Sequence, residues 1–155
     1  MPKIIEGKVK GKSRRIGIVA SRFNQEITDR LLAGCLKELA KLGVKDENIR
    51  VAWVPGAFEI PFAAQELLLG KKCDGVITLG AVIRGETAHF DYVSSGLVDG
   101  IMRVQLKTRK PVAFGVLTTD NNAQAEARSG GKHGNKGREC AEVILKMIDT
   151  TGSLQ

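Results

Sequence analysis

Hydrophobic residues follow two different spacings along this chain, and the two spacings alternate. Short apolar runs rich in Val and Ile cover residues 16–20, 49–54, 75–83 and 112–117, as is typical of strands buried on both faces of a sheet. Each run is followed by a segment that is compatible with an amphipathic helix, with apolar residues three and four positions apart. The pattern therefore predicts four units in which a strand is followed by a helix.

Glycine and proline mark where several predicted helices begin or end. Gly43 would end the first helix, and the second would carry Pro61 near its first turn and end at Gly70. Strands joined by helices run parallel, because each helix returns the chain to the edge of the sheet where the previous strand began, through a right-handed crossover. We therefore predict a three-layer α/β/α sandwich with a four-stranded parallel sheet, as one domain over residues 1–155. The predicted helices cover residues 25–42, a segment ending at 70, residues 88–107, a short segment ending near 128, and residues 136–148.

Residues 1–15 form a basic N-terminal arm that differs from the rest of the chain. Within it, the apolar segment over residues 3–9 precedes a basic spacer over residues 10–15. The apolar segment has the composition of an extra strand, which would pair either with an edge of its own sheet or with the sheet of a neighbour. We favour a strand added to a neighbouring subunit.

The formal net charge of +7 invites comparison with nucleic-acid-binding proteins. However, the chain has only five Phe, one Trp and one Tyr, and it contains no RNP-type motif, zinc finger or basic helix. We therefore expect no nucleic acid partner. No apolar run is long enough to cross a membrane and no signal-peptide pattern is present, which predicts no membrane partner and a cytoplasmic location. Three Cys without a CxxC pair argue against a disulfide framework, and Cys35 fits a helix core.

Residues that follow the predicted strands carry most of the candidate chemistry. In a parallel sheet the carboxyl ends of the strands meet at one edge, where ligands bind. His89 follows the third strand and is suited to proton transfer near neutral pH. Backbone amides around Gly85 and Thr87 precede a predicted helix and would suit a phosphate. The segments predicted to share this edge are 23–24, 56–59, 84–89 and 118–122.

Each of these residues also has a purely structural interpretation. A histidine after a strand is often a solvated or capping residue. Phe23 would either stack on a planar ring or be a buried anchor, and Glu59 would either bind hydroxyls or stabilise a helix N-terminus. The glycine-rich segment 130–137 lacks the Walker pattern, and no GxGxxG follows the first strand, which disfavours NTPases and dinucleotide-binding proteins. That segment also fits a helix junction capped by Asn135.

Five segments together resemble one known family, the 6,7-dimethyl-8-ribityllumazine synthases of riboflavin biosynthesis. The segments are IVASRFN, VPGAFEIP, GAVIRGETAHFDYV, RKPVAFGVLTTDN and ARSGGKHGNKG, in that order. The resemblance implies a flavodoxin-like fold and a transferase that condenses 5-amino-6-(D-ribitylamino)uracil with 3,4-dihydroxy-2-butanone 4-phosphate. The products would be 6,7-dimethyl-8-ribityllumazine, phosphate and water.

The resemblance also implies roles for individual residues. Phe23 would stack on the pyrimidine, and Glu59 would accept hydrogen bonds from the ribityl hydroxyls. The implied catalytic residues are His89, which would transfer protons, Arg128, which would bind phosphate, and Lys136. Phe114 and Lys136 would come from an adjacent subunit. The implied substrate-binding set is Phe23, Ala57, Phe58, Glu59, Ala81, Val82, Ile83, Gly85, Glu86, Thr87, Phe114, Arg128 and Glu139.

Glu86 is the one residue at odds with these roles, because a carboxylate beside a phosphate is repelled. We expect it to contribute its backbone amide and to point its side chain outward. No metal or organic cofactor is implied, and two His without a nearby carboxylate cluster offer no metal site.

Family members assemble as pentamers, and some close into icosahedral shells of sixty subunits around riboflavin synthase. The short turn over residues 130–137 resembles the shell-forming kind. Two other classes stay open. A flavodoxin-like binding module would bind flavin without turnover and would tolerate replacement of His89. An RNA-binding or container-like protein would depend on the basic arm, and its binding would fall steeply with salt.

Overall fold

The computed structural model describes residues 1–70 and 72–155, and strands and helices alternate along them in the predicted order. The strands are β1 (Ile16–Ser21), β2 (Ile49–Val54), β3 (Gly75–Ile83) and β4 (Val112–Thr119). The helices are α1 (Gln25–Lys41), α2 (Ile60–Leu69), α3 (His89–Thr108), α4 (Asn122–Ala127) and α5 (Lys136–Leu154). A small hairpin, β5 (Ser129–Gly131) and β6 (Gly134–Asn135), joins α4 to α5.

The four long strands form one parallel sheet in the order β2-β1-β3-β4, which confirms the predicted sheet. Its two central strands are β1 and β3, whose register runs from Ile16 opposite Gly75 to Ala20 opposite Leu79. Every residue of β1 is buried, since the strand has a neighbour on each side and helices cover both faces. The carboxyl ends of all four strands therefore lie at one edge.

Helices cover both faces of the sheet and divide the core into two clusters. The first cluster lies under α1 and α5 and includes Leu31, Cys35 and Ile144. The second lies under α2 and α3 and includes Ile60 and Leu97. This arrangement confirms the three-layer sandwich, and the buried position of Cys35 confirms its assignment to the core.

The cysteine thiols of the first cluster are unreactive near neutral pH. Burial raises the pKa of Cys35 to about 12 and the pKa of Cys140 to about 11. Both thiols therefore stay protonated near neutral pH, and because the thiolate is the reactive form, their role is packing.

Two elements extend by two or more residues beyond the ends that the sequence pattern predicted. The last helix was predicted to end at residue 148, but α5 continues to Leu154, and within this extension the hydroxyls of Thr150 and Thr151 donate to the carbonyls of Lys146 and Met147. Strand β4 was predicted to end at residue 117 and instead pairs with β3 as far as Thr119. In both places the added residues are largely polar, so the hydrophobic spacing did not predict that the helix or strand continues.

The N-terminal arm forms no strand within this chain. Its residues 6–14 lie against the outer side of α5 and the end of α1. Asp149 of α5 accepts hydrogen bonds from the backbone N–H of Lys8, at 2.8 Å, and from Arg14, at 3.2 Å. Lys146 of α5 forms an ion pair with Glu6 at 3.3 Å. The first residues of the arm stay exposed, including Ile4 at 82%.

Candidate active site

A crevice of about 600 Å³ opens at the carboxyl ends of β1, β2 and β3. This is the place where parallel α/β sheets bind ligands. Four aromatic rings line it, which gives it flat apolar walls, while a carboxylate, a threonine and a histidine supply polar groups. The lining residues are Phe23, Gly56, Ala57, Phe58, Glu59, Ala81, Val82, Ile83, Gly85, Thr87, His89, Phe90, Tyr92 and Val93.

The loop after β1 carries Phe23 at the lip of the crevice. The amide of Arg22 donates to the carbonyl of Val54, at 2.8 Å, and the amide of Phe23 donates to that of Pro55, at 3.0 Å. These bonds tie the loop to the end of β2. The Phe23 side chain is 71% exposed. It is therefore not the buried anchor that was one of its two interpretations, and its ring is free to contact a ligand.

The loop after β2 supplies Ala57, Phe58 and Glu59. These residues form a 3-10 turn that leads directly into α2, whose first turn contains Pro61 as predicted. Ala57 is buried and anchors the turn, while Phe58 and Glu59 are exposed. The Glu59 side chain caps no amide of α2. Its carboxylate is thus available to hydroxyl donors, and the helix dipole favours its charge.

The turn after β3 is held by Arg84, which contacts the loop after β4 and the first turn of α3. Its Nε donates to Asp120 Oδ1 at 3.1 Å, its Nη1 donates to Asp91 Oδ1 at 3.4 Å, and its guanidinium lies 4.4 Å from the centre of the Phe90 ring. The hydrogen bond to Asp120 is the largest cause of a raised pKa for Arg84. The guanidinium therefore stays charged at all working pH values.

His89 is the first residue of α3, and its side chain lines the crevice. Its backbone N–H donates to Thr87 Oγ1 at 3.3 Å, so Thr87 satisfies one of the free amides at the start of α3. Gly85 lies beside them with open space where a side chain would be. The turn thus presents backbone amides, a hydroxyl and an imidazole to the same space.

Five of the proposed site residues do not line this crevice within one chain. Arg128, Lys136 and Glu139 belong to the end of α4 and the start of α5, on the sheet face opposite α2 and α3. Phe114 projects from β4, which is an edge strand one position beyond β3. Glu86 is exposed and does not line the crevice.

The segment 118–122 was predicted to share the edge with the other three segments, and only part of that prediction is correct. Thr119 ends β4 and Asp120 reaches Arg84, but no residue of the segment lines the crevice. The reason is that the chain leaves β4 toward α4, on the side of α1 and α5. The segment 118–122 therefore stabilises the turn after β3 through Asp120 and does not itself line the crevice.

The sequence interpretation missed three residues of the wall, namely Phe90, Tyr92 and Val93. The helical spacing of His89, Tyr92 and Val93 at positions i, i+3 and i+4 was the available signal, because such residues share one face of a helix. In the described ranges, no three His, Cys, Asp or Glu side chains are grouped so that they could hold a metal ion. Among those same residues, no helix is long and apolar enough to cross a membrane.

The fold and the crevice define a class of protein. It is a flavodoxin-like α/β protein with a crevice lined by aromatic residues at the carboxyl edge of its sheet. The family model for 6,7-dimethyl-8-ribityllumazine synthase matches residues 13–151. The chain therefore belongs to the 6,7-dimethyl-8-ribityllumazine synthase family.

Individual relatives agree with the family model. The chain is 52% identical over 149 residues to the 6,7-dimethyl-8-ribityllumazine synthase of Protochlamydia amoebophila, which covers 96% of this chain and 87% of the relative. It is 53% identical over 143 residues to the synthase of Lactiplantibacillus plantarum, covering 92% and 90%. It is 51% identical over 143 residues to the synthase of Pediococcus pentosaceus, covering 92% of each. Nearly the whole fold is thus shared with these relatives.

Proposed function

We propose that the crevice binds 5-amino-6-(D-ribitylamino)uracil and 3,4-dihydroxy-2-butanone 4-phosphate and condenses them to 6,7-dimethyl-8-ribityllumazine, with release of phosphate and water. The protein is then a transferase of riboflavin biosynthesis. The observation that carries this proposal is the convergence of Phe23, Glu59, the turn Gly85–Thr87 and His89 on one crevice in a chain of this family.

The apolar half of the crevice suits the pyrimidine. The exposed ring of Phe23 offers a face for stacking, and the Phe58 ring adds a second apolar wall. Ala81, Val82 and Ile83 also line the crevice, and their backbone groups would pair with the polar edge of the uracil. The Glu59 carboxylate would accept hydrogen bonds from the ribityl hydroxyls.

The polar half suits the phosphate of the second substrate. Amides at Gly85 and Glu86 and the Thr87 hydroxyl lie just before the N-terminus of α3, which attracts anions. Arg128 of an adjacent subunit would add the charge that stabilises the departing phosphate. His89 lies beside this position and would transfer protons during imine formation and elimination. Holding both substrates in one crevice lowers the barrier further.

An adjacent subunit is part of this proposal because Arg128, Lys136, Glu139 and Phe114 lie outside the crevice of their own chain. Two separate apolar surfaces support such an assembly. One lies on the β4 side and includes exposed Met102, Leu106 and Phe114, and the other lies on the α2 side and includes exposed Phe62 and Leu69. Two different surfaces that meet head to tail generate a ring where the rotation between subunits closes, and an open filament otherwise.

We propose that this ring is a pentamer in which each crevice is completed by the next subunit. Closure into an icosahedral shell of sixty subunits, with riboflavin synthase enclosed, rests on the resemblance of the turn 130–137 to shell-forming relatives. The exposed first residues of the arm would add a strand to a neighbour. A cytoplasmic location stays a prediction from the sequence. Sedimentation should show shells, and a profile containing only pentamers would contradict the shell.

The activity is tested by mixing the purified protein with both substrates and following lumazine formation by absorbance. We expect product well above the uncatalysed rate, a large loss in Arg128→Ala and a measurable loss in His89→Ala. Arg103→Ala is the matched control, because Arg103 is exposed on α3 and, among the described residues, forms its ion pair with Asp99 on the same helix. Wild type that adds nothing to the background rate while binding flavin would favour the binding-module alternative.

The shared site is tested by co-expressing the His89→Ala and Arg128→Ala chains. If each site takes His89 from one subunit and Arg128 from the next, random mixing restores both side chains at about one quarter of the sites. The mixed assemblies should then be more active than either variant alone. Activity that stays at the level of the separate variants would show that both residues act within one chain.

A further inference from the structure

Asn24 has a backbone conformation and a side-chain contact that its position at a helix N-terminus does not require. It lies between Phe23 and α1 in the left-handed region, at φ 58° and ψ 43°. Among the residues that the structure describes, Ser13 and Arg109 are the other non-glycine residues with positive φ. An Asn at this position usually accepts a hydrogen bond from a helix amide, but the Asn24 side chain caps no amide of α1.

The Asn24 side chain instead reaches the adjacent strand β3. Its Nδ2 donates to the carbonyl of Ala81 at 2.9 Å. Direct pairing of β1 with β3 ends earlier, at Ala20 opposite Leu79. The Asn24 amide therefore links the loop after β1 to β3 beyond the last paired residues, at the floor of the crevice.

This link matters because little else on that side holds Phe23. The Phe23 ring is 71% exposed, so packing does not fix it. Backbone bonds tie the loop to the end of β2, through the amides of Arg22 and Phe23. The Asn24 amide supplies the corresponding tie to β3. Together the two ties hold the backbone from which the Phe23 ring projects at a set distance from β2 and β3.

We propose that Asn24 is a positioning residue for the planar heterocyclic substrate, acting through Phe23 and Ala81. This inference rests on the proposed function, in which the pyrimidine lies between the Phe23 ring and the edge of β3. The Ala81 carbonyl already accepts from Asn24, which fixes its direction and leaves one lone pair for a ligand. Asn suits the position because it tolerates the left-handed region and carries an N–H donor.

Three substitutions separate the left-handed backbone conformation of Asn24 from its side-chain hydrogen bond to Ala81. Asn24→Gly keeps the backbone conformation and removes the amide. Asn24→Asp keeps the size and the tolerance for positive φ, but it turns a carboxylate toward the Ala81 carbonyl. Asn24→Ala removes the amide and strains the backbone as well. Arg109→Gly is the matched control, because Arg109 has φ 59° at the far end of α3 and lies outside the crevice.

The measurement is steady-state kinetics with each substrate varied in turn, alongside urea unfolding. In Asn24→Gly we expect KM for the ribitylaminouracil to rise about fivefold, as the loss of one net hydrogen bond implies, with KM for the butanone phosphate unchanged. Asn24→Asp should raise the first KM more than Asn24→Gly does. Arg109→Gly should change neither KM.

Two outcomes would overturn the inference. Equal changes in both KM values, or lower stability with no change in the KM for the ribitylaminouracil, would show that Asn24 is merely structural. Calorimetric binding of the ribitylaminouracil to wild type separates this failure from that of the proposed function. If wild type binds and turns over the substrate but Asn24→Gly behaves identically, only the positioning role is wrong. If wild type neither binds nor turns over the substrate, both are wrong.

Discussion

Arg84 lies next to the proposed phosphate turn, yet its charge is already used within the chain. Asp120 and Asp91 pair with it, and the Phe90 ring lies under its guanidinium. Arg84 thereby joins the end of β3, the first turn of α3 and the loop after β4. We infer that it holds the turn Gly85–Thr87 in place, while the free positive charge for phosphate comes from elsewhere.

Replacing Arg84 should therefore weaken phosphate binding through the geometry of the turn. In Arg84→Ala we expect KM for the butanone phosphate to rise several-fold, with KM for the ribitylaminouracil nearly unchanged. Arg84→Lys should recover little, because an ammonium cannot form the same forked contacts or stack on a ring. Steady-state kinetics checks this. Full recovery in the lysine variant would show that charge alone matters at this position.

Replacing Glu86 should have a smaller effect on kinetics than replacing Arg84, although Glu86 belongs to the turn Gly85–Thr87 itself. Its side chain is exposed and does not line the crevice, so Glu86→Ala should change kcat and both KM values little. Assays of the variant over a range of ionic strength provide the check, because a carboxylate that repels the phosphate would reveal itself most at low salt. A large gain in affinity for the butanone phosphate in Glu86→Ala would contradict the outward orientation.

Residues of the crevice that follow β1, β2 and β3 could be predicted from the sequence, because strand ends of a parallel sheet share one edge. The position of Arg128 relative to the crevice could not. Which face of the sheet the chain crosses to after β4 depends on packing between distant helices, and no local pattern records it. The Asn24 link to Ala81 was equally invisible, since it joins residues that are far apart in the sequence.

At the scale of whole elements, the close contact of α1 with α5 depends on glycine. A side chain at Gly137, in the first turn of α5, would collide with the backbone carbonyl of Leu31 in α1. A backbone atom cannot move aside as a flexible side chain can. Asn135, predicted as the cap of α5, strengthens the same junction by accepting from the amide of Arg138 and donating to the carbonyl of Arg30, both at 3.0 Å.

Gly137→Ala should therefore lower the free energy of unfolding by about 1–3 kcal/mol, as overpacking does. Gly152→Ala is the matched control on the same helix, because nothing lies within 4 Å of the added methyl group. That variant should be more stable than wild type by about 0.5–1 kcal/mol, since alanine favours a helix. Urea unfolding of both variants checks the pair. Similar changes in the two variants would mean that α1 and α5 can separate at little cost.

The hydrophobic pattern predicted element boundaries well where the terminal side chains were apolar. It failed where a helix or strand continued through residues without apolar side chains. Strands β2 and β3 have the predicted bounds. The hairpin of β5 and β6 was predicted only as a glycine-rich turn, because its pairing places Gly130 and Gly134 at positive φ and uses almost no apolar side chain. Periodicity cannot reveal a strand that buries nothing.

For the molecule as a whole, Asp149 of α5 holds the middle of the arm, while Lys146 of the same helix holds Glu6. Asp149 accepts from the backbone of Lys8 and lies near the cations of Arg14 and Lys10, at 3.2 and 4.0 Å. The hydrogen bond from Lys8 is the largest cause of a lowered pKa for Asp149, and the cations lower it further. A carboxylate with a lowered pKa stabilises the attached arm in its charged form.

The sign of the pH dependence follows directly. The contribution of Asp149 is fully present above its ordinary pKa of 3.8, and it is lost as the pH falls through the lowered value. Hydrogen exchange of the arm amides, corrected for intrinsic rates, should therefore accelerate on acidification below about pH 4 while the amides of β3 stay protected. In Asp149→Asn the arm should exchange faster at neutral pH and show no such acid step. An acid step of equal size in that variant would assign the attachment of the arm to groups other than Asp149.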